Sequence, residues 1–230
     1  MTISVIIPTL NEETVLARTL AHTAALGFDD IIVVDGGSTD RTVQLAEAYC
    51  MCTPTVHIIT APRGRARQMN EGAKASTGDT LLFLHADTQL PVDAGKIIES
   101  ALADPNVKGG RFDVCFDHPS MWGITIGLFM NWRSRLSRIA TGDQAIFVRR
   151  HVFEQLGGFS DIPLMEDIDF SNRLKRAGRI AALRETVTTS FRRWEQQGPL
   201  RTILLMWALR FLYWIGVSPL RLSHWYNAVR

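Results

Sequence analysis

The sequence predicts an α/β fold: a doubly wound, mainly parallel sheet flanked by helices, with a C-terminal helical extension. Three observations carry that prediction. Four short, β-branched apolar runs recur in the first 90 residues, and stretches of helical spacing separate them. Polar clusters follow the runs, as they do where ligands sit beyond the carboxyl ends of parallel strands. From residue 170 onward the charge and the aromatic content change together.

Residues 3–7 form the first run; its length suits a buried strand ended by Pro8. Over 12–26, Val15, Leu16, Thr19, Leu20 and Thr23 fall near helical spacing. Residues 31–34 form a second strand, and Thr39 or Asp40 can cap the helix that runs to Tyr49. A third strand over 56–59, a helix over 64–75 and a fourth strand over 81–84 follow; Pro91 then opens a helix that stops before Pro105. Beyond Val107 the alternation is less regular, with strands expected over 110–116 and 145–148, helices over 120–139 and 165–177, and an extended stretch over 180–190. The apolar stretch over 200–217 reads as a helix, and 219–229 continues it after a break.

Hydrophobic residues at 46% and charged residues at 21% exclude disordered and fibrous chains. The net charge of +2 hides a split: residues 1–169 carry 14 basic and 21 acidic side chains, residues 170–230 carry 11 and 2. All six tryptophans lie at or beyond 122. A basic, tryptophan-rich tail suits a polyanion or a membrane surface; equally, its tryptophans can fill a helical cap while its arginines are solvated. No nucleic-acid motif accompanies the basic surplus, so no nucleic-acid partner is expected. Cys50, Cys52 and Cys115 read as free thiols, and without a secretory signal a cytoplasmic location is expected.

No glycine-rich phosphate loop follows the first strand, which excludes dinucleotide oxidoreductases and P-loop NTPases. The segment from Pro8 to Glu13 offers hydrogen-bonding groups there instead. Asp35 closes the second strand, where a carboxylate can accept from a ribose or a base, or can cap a turn. Gly36 and Gly37 let a ligand approach the backbone. Arg63, Arg65 and Arg67 crowd a helix start, against the macrodipole, which a diphosphate would relieve. Asp87 ends a buried strand and can hold Mg²⁺ or Mn²⁺ shared with phosphates, with His85 and Gln89 as further candidates; it can also cap the next helix. Glu166, Asp167 and Asp169 sit in one helical turn, as dipole-stabilised carboxylates or as a general base.

In order, the segments Ser4–Glu13, Val33–Asp40, Gly64 to Gly72, Leu84–Asp87, Gly157–Phe159 and Glu166–Asp167 resemble the family 2 glycosyltransferases of the GT-A fold, over residues 1 to about 180. Residues 63–70, 84–88 and 142–150 resemble a small bacterial subgroup associated with radical-SAM and arsenosugar gene neighbourhoods. The resemblance implies an inverting, metal-dependent transfer from a nucleotide-diphosphate sugar, most often UDP-linked, to an acceptor hydroxyl. It implies a donor site drawn from Pro8, Thr9, Leu10, Glu12, Asp35, Gly36, Arg63, Arg65, His85 and Ala86, with Arg192 and Arg193 closing over the phosphates. Thr9 and Asp35 match positions that contact base and ribose, and Arg65 a region beside the base. Asp87 matches the last aspartate of the D-x-D metal motif, with Mg²⁺ or Mn²⁺ as the expected ion; His85 replaces the first. Asp167 matches the catalytic aspartate and Glu166 its neighbour. Trp194, Asp143 and Gln144 are acceptor-side candidates. A sugar nucleotidyltransferase would carry a glycine-rich basic loop after the first strand, which is absent here; a non-catalytic nucleotide-sugar-binding or scaffold protein is the other alternative.

Residues 1–190 are expected to form the catalytic domain and 191–230 the extension. Residues 190–194 loosely resemble the Q-x-x-R-W element of processive members but lack its glutamine, so processive synthesis is not expected. Residues 203–217 span roughly 23 Å as a helix and include Arg210, which argues against a membrane span. Contact with the inner membrane face, or burial against the enzyme or a second copy in a homodimer, both remain open for this tail.

Overall fold

The computed structural model describes residues 1–118 and 120–229; the side chains of 193 and 227–229 lie outside the described set. Strand β1 (Ile3–Thr9) pairs in parallel with β2 (Asp30–Asp35) on one side and β4 (Thr80–Phe83) on the other, and β3 (Val56–Thr60) extends the row beyond β2. With β5 (Thr88–Gln89), β6 (Val107–Phe116), β7 (Ile146–Arg149) and β8 (Arg179–Thr189), the described strands form one eight-stranded sheet ordered β3-β2-β1-β4-β7-β6-β8-β5. Strand β7 runs antiparallel to β4 and β6, β5 antiparallel to β8, and β6 and β8 are parallel to one another. The sheet is thus parallel where the sequence alternates regularly and mixed beyond Val107.

Alternation along β1 explains the two layers. Val5 and Ile7 join one core cluster, with Leu16 and Leu20 of α1 (Leu16–Ala25) and Ile98 of α4 (Ala94–Leu102). Ile6 joins the other, with Met69 of α3 (Arg65–Ala75) and Phe170 of α7 (Glu166–Ala177). Successive strand residues face opposite sides, so a continuous apolar run needs helices on both faces.

Several boundaries differ from expectation. Pairing does not stop at Pro8: it continues through Pro8–Val34 and Thr9–Asp35. Proline removes its own ladder donor, but the neighbouring bonds persist, Leu84 N–H to Ile6 O at 2.9 Å and Gly36 N–H to Thr9 O at 3.0 Å. Helix α2 (Thr42–Cys52) is preceded by Asp40, whose carboxylate accepts from the Thr42 N–H at 3.0 Å and the Glu13 N–H at 3.2 Å. Thr39 instead donates its N–H to Asn11 Oδ1. Pro91 lies outside α4, which begins at Ala94. Helices α6 (Arg150–Gln155) and α8 (Arg192–Gln197), and the two-residue β5, are too short for periodicity to reveal.

Helix α5 (Met121–Ser137) is fastened to the sheet by polar contacts on one face. Asn131 exchanges hydrogen bonds with Val114 N–H and C=O at 2.9 and 3.0 Å, and Arg135 pairs with Asp113 at 2.6 Å. Asp113 is also paired with the buried Arg111. Trp122, Ile126, Phe129 and Leu136 fall near one helix face by their spacing, yet they do not form a core face: Ile126 is buried, whereas Trp122, Phe129 and Leu136 are exposed. Helices α9 (Pro199–Trp214) and α10 (Pro219–Val229) bury Leu209 and Leu222 against Met165 and Ile168 at the start of α7. The opposite face of α9 presents Leu200, Leu204, Trp207, Phe211 and Trp214, all at least 55% exposed. The tail's tryptophans therefore do not fill a core. Among the described residues no helix is long and apolar enough to cross a membrane.

Candidate functional site

Beyond the carboxyl ends of β1 and β4 opens a cleft of about 600 Å³. Strand β1 supplies Pro8 and the segment after it Glu12; the segment after β4 supplies His85, Ala86 and Asp87; α3 supplies Arg65. Arg192 and Trp194 of α8 close one side, and α5 and α9 form the far wall with Ile126, Phe129, Arg133, Met206, Trp207 and Arg210. One end therefore combines carboxylates with cations, whereas the other sets two arginines, Arg133 and Arg210, among aromatic and aliphatic side chains.

At the polar end, Glu12 and Asp87 are neighbouring carboxylates. Burial and then the charge of Asp87 push the Glu12 carboxyl above its ordinary range, while Arg192, His85 and Arg65 pull it down. Arg192 reaches Glu12 at 3.6 Å and donates to Thr14 Oγ1 at 2.9 Å. His85 Nδ1 lies 3.0 Å from Asp143 Oδ1, and its Nε2 is buried without a hydrogen-bond partner, as is Glu12 Oε2. Gly142 lies over the imidazole so closely that a Cβ would fall 2.6 Å from His85 Cε1.

These residues fit a divalent cation held in part by the ligand. Glu12 Oε2 and His85 Nε2 are buried without partners in residues that line the cleft with Asp87, and hard cations favour carboxylate and phosphate oxygens. Among the described residues no three ligating side chains gather to hold a metal alone. Gln89 sits on β5 against Arg18, outside the cleft lining.

Behind His85, a void of about 10 Å³ is bordered by Arg65, Glu166 and Asp167. Glu166 is buried and lies 3.6 Å from Arg65 Nη1. Burial raises the Glu166 carboxyl, Arg65 opposes that, and Asp167 adds to it. Packing works against the charge of Arg65, but Glu166, Asp143 and Asp167 hold it above an ordinary arginine. Asp167 accepts from the Gly142 N–H at 3.0 Å and the Ile168 N–H at 2.7 Å.

Of the residues expected in the site, Thr9, Leu10, Asp35, Gly36, Arg63, Gln144, Glu166 and Asp167 do not line the cleft; Glu166 and Asp167 border the small void behind His85 instead. Thr9 and Asp35 lie side by side in register, both buried. Asp35 accepts from the Gly37 and Ser38 N–H groups at 2.8 and 2.9 Å, the local turn the sequence also allowed. Gly36 is small for a different reason than ligand approach: a Cβ there would meet Gln68 at 2.9 Å. Gln68 Nε2 bridges Thr9 O and Val34 O at 2.7 and 2.8 Å, fastening the ends of β1 and β2. Arg63 is exposed, and Arg67 pairs with Asp161 on the surface. Gln144 is buried in a capping turn with Thr141. Trp194 stacks on Phe191 with ring centroids 6.4 Å apart. The Arg193 side chain lies outside the described residues.

Sequence reasoning missed Arg133 and Arg210. Arg133 titrates at about 10, far below an ordinary arginine, because it is buried and because Arg210 and then Arg111 repel it, against the attraction of Asp167 and Asp143. Burial lowers Arg210 as well. The one legible hint was a lone charge in an apolar helix.

The sequence matches the profile of glycosyl transferase family 2 over residues 4–157. It is 28% identical over 197 residues to the "Probable glycosyltransferase YdaM" of Bacillus subtilis, covering 76% of this chain and 47% of that protein. The chain thus spans about half the length of that curated relative. The fold is similar to that of S. aureus TarS 1-349 in complex with UDP, with a TM-score of 0.65 and 18% identity, over 83% of this chain and 60% of that one. It is also similar to the mannosyltransferase PcManGT of Pyrobaculum calidifontis in complex with GDP-Man and Mn²⁺, with a TM-score of 0.61 and 19% identity, over 81% and 56%. Both likenesses are of the GT-A fold.

Proposed function

The chain belongs to glycosyl transferase family 2, and from that premise we propose that it moves a sugar from a nucleotide-diphosphate sugar, of the UDP class, to an acceptor hydroxyl with inversion at the anomeric carbon. The observation that carries this reading is a single cleft with two unlike ends. Glu12, Arg65, Asp87 and Arg192 gather at the strand ends, where a diphosphate belongs, and an aromatic wall that also carries Arg133 and Arg210 stands opposite for an acceptor. A relative in fold was solved with UDP, which supports the choice of nucleotide.

In the reaction, the acceptor oxygen forms a bond to the anomeric carbon as the bond from that carbon to the diphosphate oxygen breaks. The electron pair leaves with the diphosphate, and Asp167 takes the hydroxyl proton. The Gly142 and Ile168 N–H groups hold that carboxylate in place. Asp167 acts here through its position, and contacts of this kind tighten when substrate binds. Arg65 and Arg192 meet the charge that grows on the leaving group. Asp87, together with donor phosphate oxygens, would hold Mg²⁺ or Mn²⁺, which supplies Lewis-acid stabilisation of the diphosphate. Thr9, Asp35 and Gln68 order the strand ends beneath the nucleotide. The narrower subgroup reading rests on residues 63–70, 84–88 and 142–150 alone.

Residues 1–190 form the catalytic part of this proposal and 191–230 an extension that lends Arg192, Trp207 and Arg210 to the cleft. Helices α5, α9 and α10 hold no carboxylate side chain but carry Arg133, Arg135, Arg201, Arg210 and Arg221. Of these, Arg201 and Arg221 are exposed, and together with the exposed aromatic stripe they would suit an anionic bilayer surface; this supports a peripheral position on the cytoplasmic membrane face.

Asp167→Asn tests the chemistry. Transfer should fall at least about 100-fold, the scale of general-base loss, with nucleotide affinity nearly unchanged. Equal loss of donor binding would move Asp167 from the acceptor to the donor side.

A further inference from the structure

Most of the chain's part-buried arginines are answered by the protein. Arg111, Arg135 and Arg173 pair with carboxylates, and Arg149 and Arg150 donate to backbone carbonyls. Arg133 and Arg210 differ. Nε and Nη2 of Arg133 and Nε of Arg210 are buried without a hydrogen-bond partner, and among the described residues neither guanidinium is in an ion pair. Both line the cleft. Arg133, lowered to about 10, carries its charge at neutral pH despite burial, and burial lowers Arg210 as well. Buried, unpaired like charges facing one space are costly alone and become favourable when an anion joins them.

The donor diphosphate is provided for elsewhere in the same cleft, by Arg65, Arg192 and Asp87 at the strand ends. Arg133 and Arg210 come from the opposite wall. Phe129 lies four residues before Arg133, and Trp207 three before Arg210, so each arginine sits one helical turn from an aromatic on the same face. Those two rings stack, with centroids 5.6 Å apart and an angle of 28°. They are half-exposed, whereas the guanidinium atoms are buried, so the rings lie on the outer side of the charges. Beyond them the apolar surface continues outward along Leu128 and Trp132 of α5 and Leu204 and Phe211 of α9.

We propose that Arg133 and Arg210 form an acceptor subsite for an amphiphile, holding an anionic head of the phosphate class between two guanidiniums while its apolar chain runs out past Phe129 and Trp207. The term acceptor rests on the glycosyltransferase reading; the anion site itself does not. The occupant is one molecule with two chemistries, and the site is built for both: paired charge inside, aromatic surface outside. Its accepting hydroxyl lies near the anionic head, because Asp143 lines the same cleft as both arginines and, with Asp167, acts electrostatically on them.

The test is equilibrium titration of the full chain, read by tryptophan fluorescence and calorimetry. The probe is decyl phosphate below its micelle concentration, with inorganic phosphate as the head alone and decanol as the tail alone. Decyl phosphate should bind at least about tenfold more tightly than either, and should still bind with UDP and Mn²⁺ at saturation. Arg133→Gln and Arg210→Gln should each weaken it about tenfold or more, the scale of one charged hydrogen-bonding partner. Where a glutamine variant fails to fold, the lysine variant, which keeps charge but not the fork, should retain part of the affinity. Equal binding of inorganic phosphate or of decanol overturns the amphiphile assignment, as does affinity unmoved by either substitution. Competition by UDP overturns the acceptor assignment and gives the arginines to the donor. Failure of UDP to bind at all sinks the nucleotide reading instead, and the decyl phosphate result still decides the subsite.

Discussion

Replacing Gly142 with alanine puts a methyl group 2.6 Å from His85 Cε1, where ordinary contact begins at 3.4 Å. Gly142 is not among the positive-φ glycines, so the substitution adds a steric overlap of roughly 0.8 Å without backbone strain. The imidazole cannot simply swing away. Its side chain is 14% exposed and its Nδ1 is 3.0 Å from Asp143. The N–H of Gly142 itself donates to Asp167 at 3.0 Å, so relief of the overlap must disturb His85–Asp143, Gly142–Asp167 or both. A displacement near 1 Å in a positioned group costs about 100-fold in rate, and overpacking costs about 1–3 kcal/mol of stability. At about 2–4 °C per kcal/mol for a chain of this size, the melting temperature should fall by roughly 2–12 °C. The assay is hydrolysis of the best donor from a nucleotide-sugar screen, with kcat separated from KM, beside thermal melts. His85→Ala removes the ring, so the double variant should melt above Gly142→Ala, with a coupling of about 1 kcal/mol or more. A Gly142→Ala protein that melts and turns over like the parent, or a strictly additive double variant, refutes the placement of His85 against this turn.

Arg133→Met should stabilise the ligand-free protein. An arginine lowered by burial to about 10 carries about 3 kcal/mol of unfavourable burial at about 1.4 kcal/mol per tenfold, and methionine keeps an apolar stem. Urea unfolding should show a gain of about 1–3 kcal/mol; a loss would mean that the guanidinium has a partner within the protein. For the exposed stripe, the pair Leu204→Ser and Trp214→Ser should abolish flotation with anionic liposomes while leaving the melt within a few degrees, since both side chains are at least 70% exposed. A parent protein that does not float, or a light-scattering dimer lost in the same double variant, would assign this face to a second copy.

The first half of the fold is legible because its signals are local. Alternating burial of Val5, Ile6 and Ile7 requires layers on both faces, and the polar residues after each run mark where the strands end. The Asp87 end of the cleft follows from that, since two neighbouring parallel strands must bring Glu12 and Asp87 to one side. Asp35 was less legible. Its spacing from Gly37 and Ser38 suited a turn as well as a ribose, and the hydrogen bonds of the turn are the ones made. Arg133 and Arg210 could not be found as a pair, because they are 77 positions apart and meet only when α5 and α9 pack across the cleft. The spacing of Trp122, Phe129 and Leu136 resembled a core stripe because an exposed apolar face and a buried one have the same period. What separates them is the polar anchoring of α5 by Asn131 and Arg135, which turns those side chains outward.

The central claim is that the Asp87 end of the cleft binds a nucleotide diphosphate together with a divalent cation. Calorimetric titration of UDP with and without Mn²⁺, in the parent protein and in Asp87→Ala, tests it most directly. UDP affinity should rise at least about tenfold with Mn²⁺ in the parent, and that gain should vanish in Asp87→Ala, as expected where one carboxylate and the phosphates share the ion. UDP binding that ignores both the metal and the substitution, or no UDP binding at all, would contradict the account.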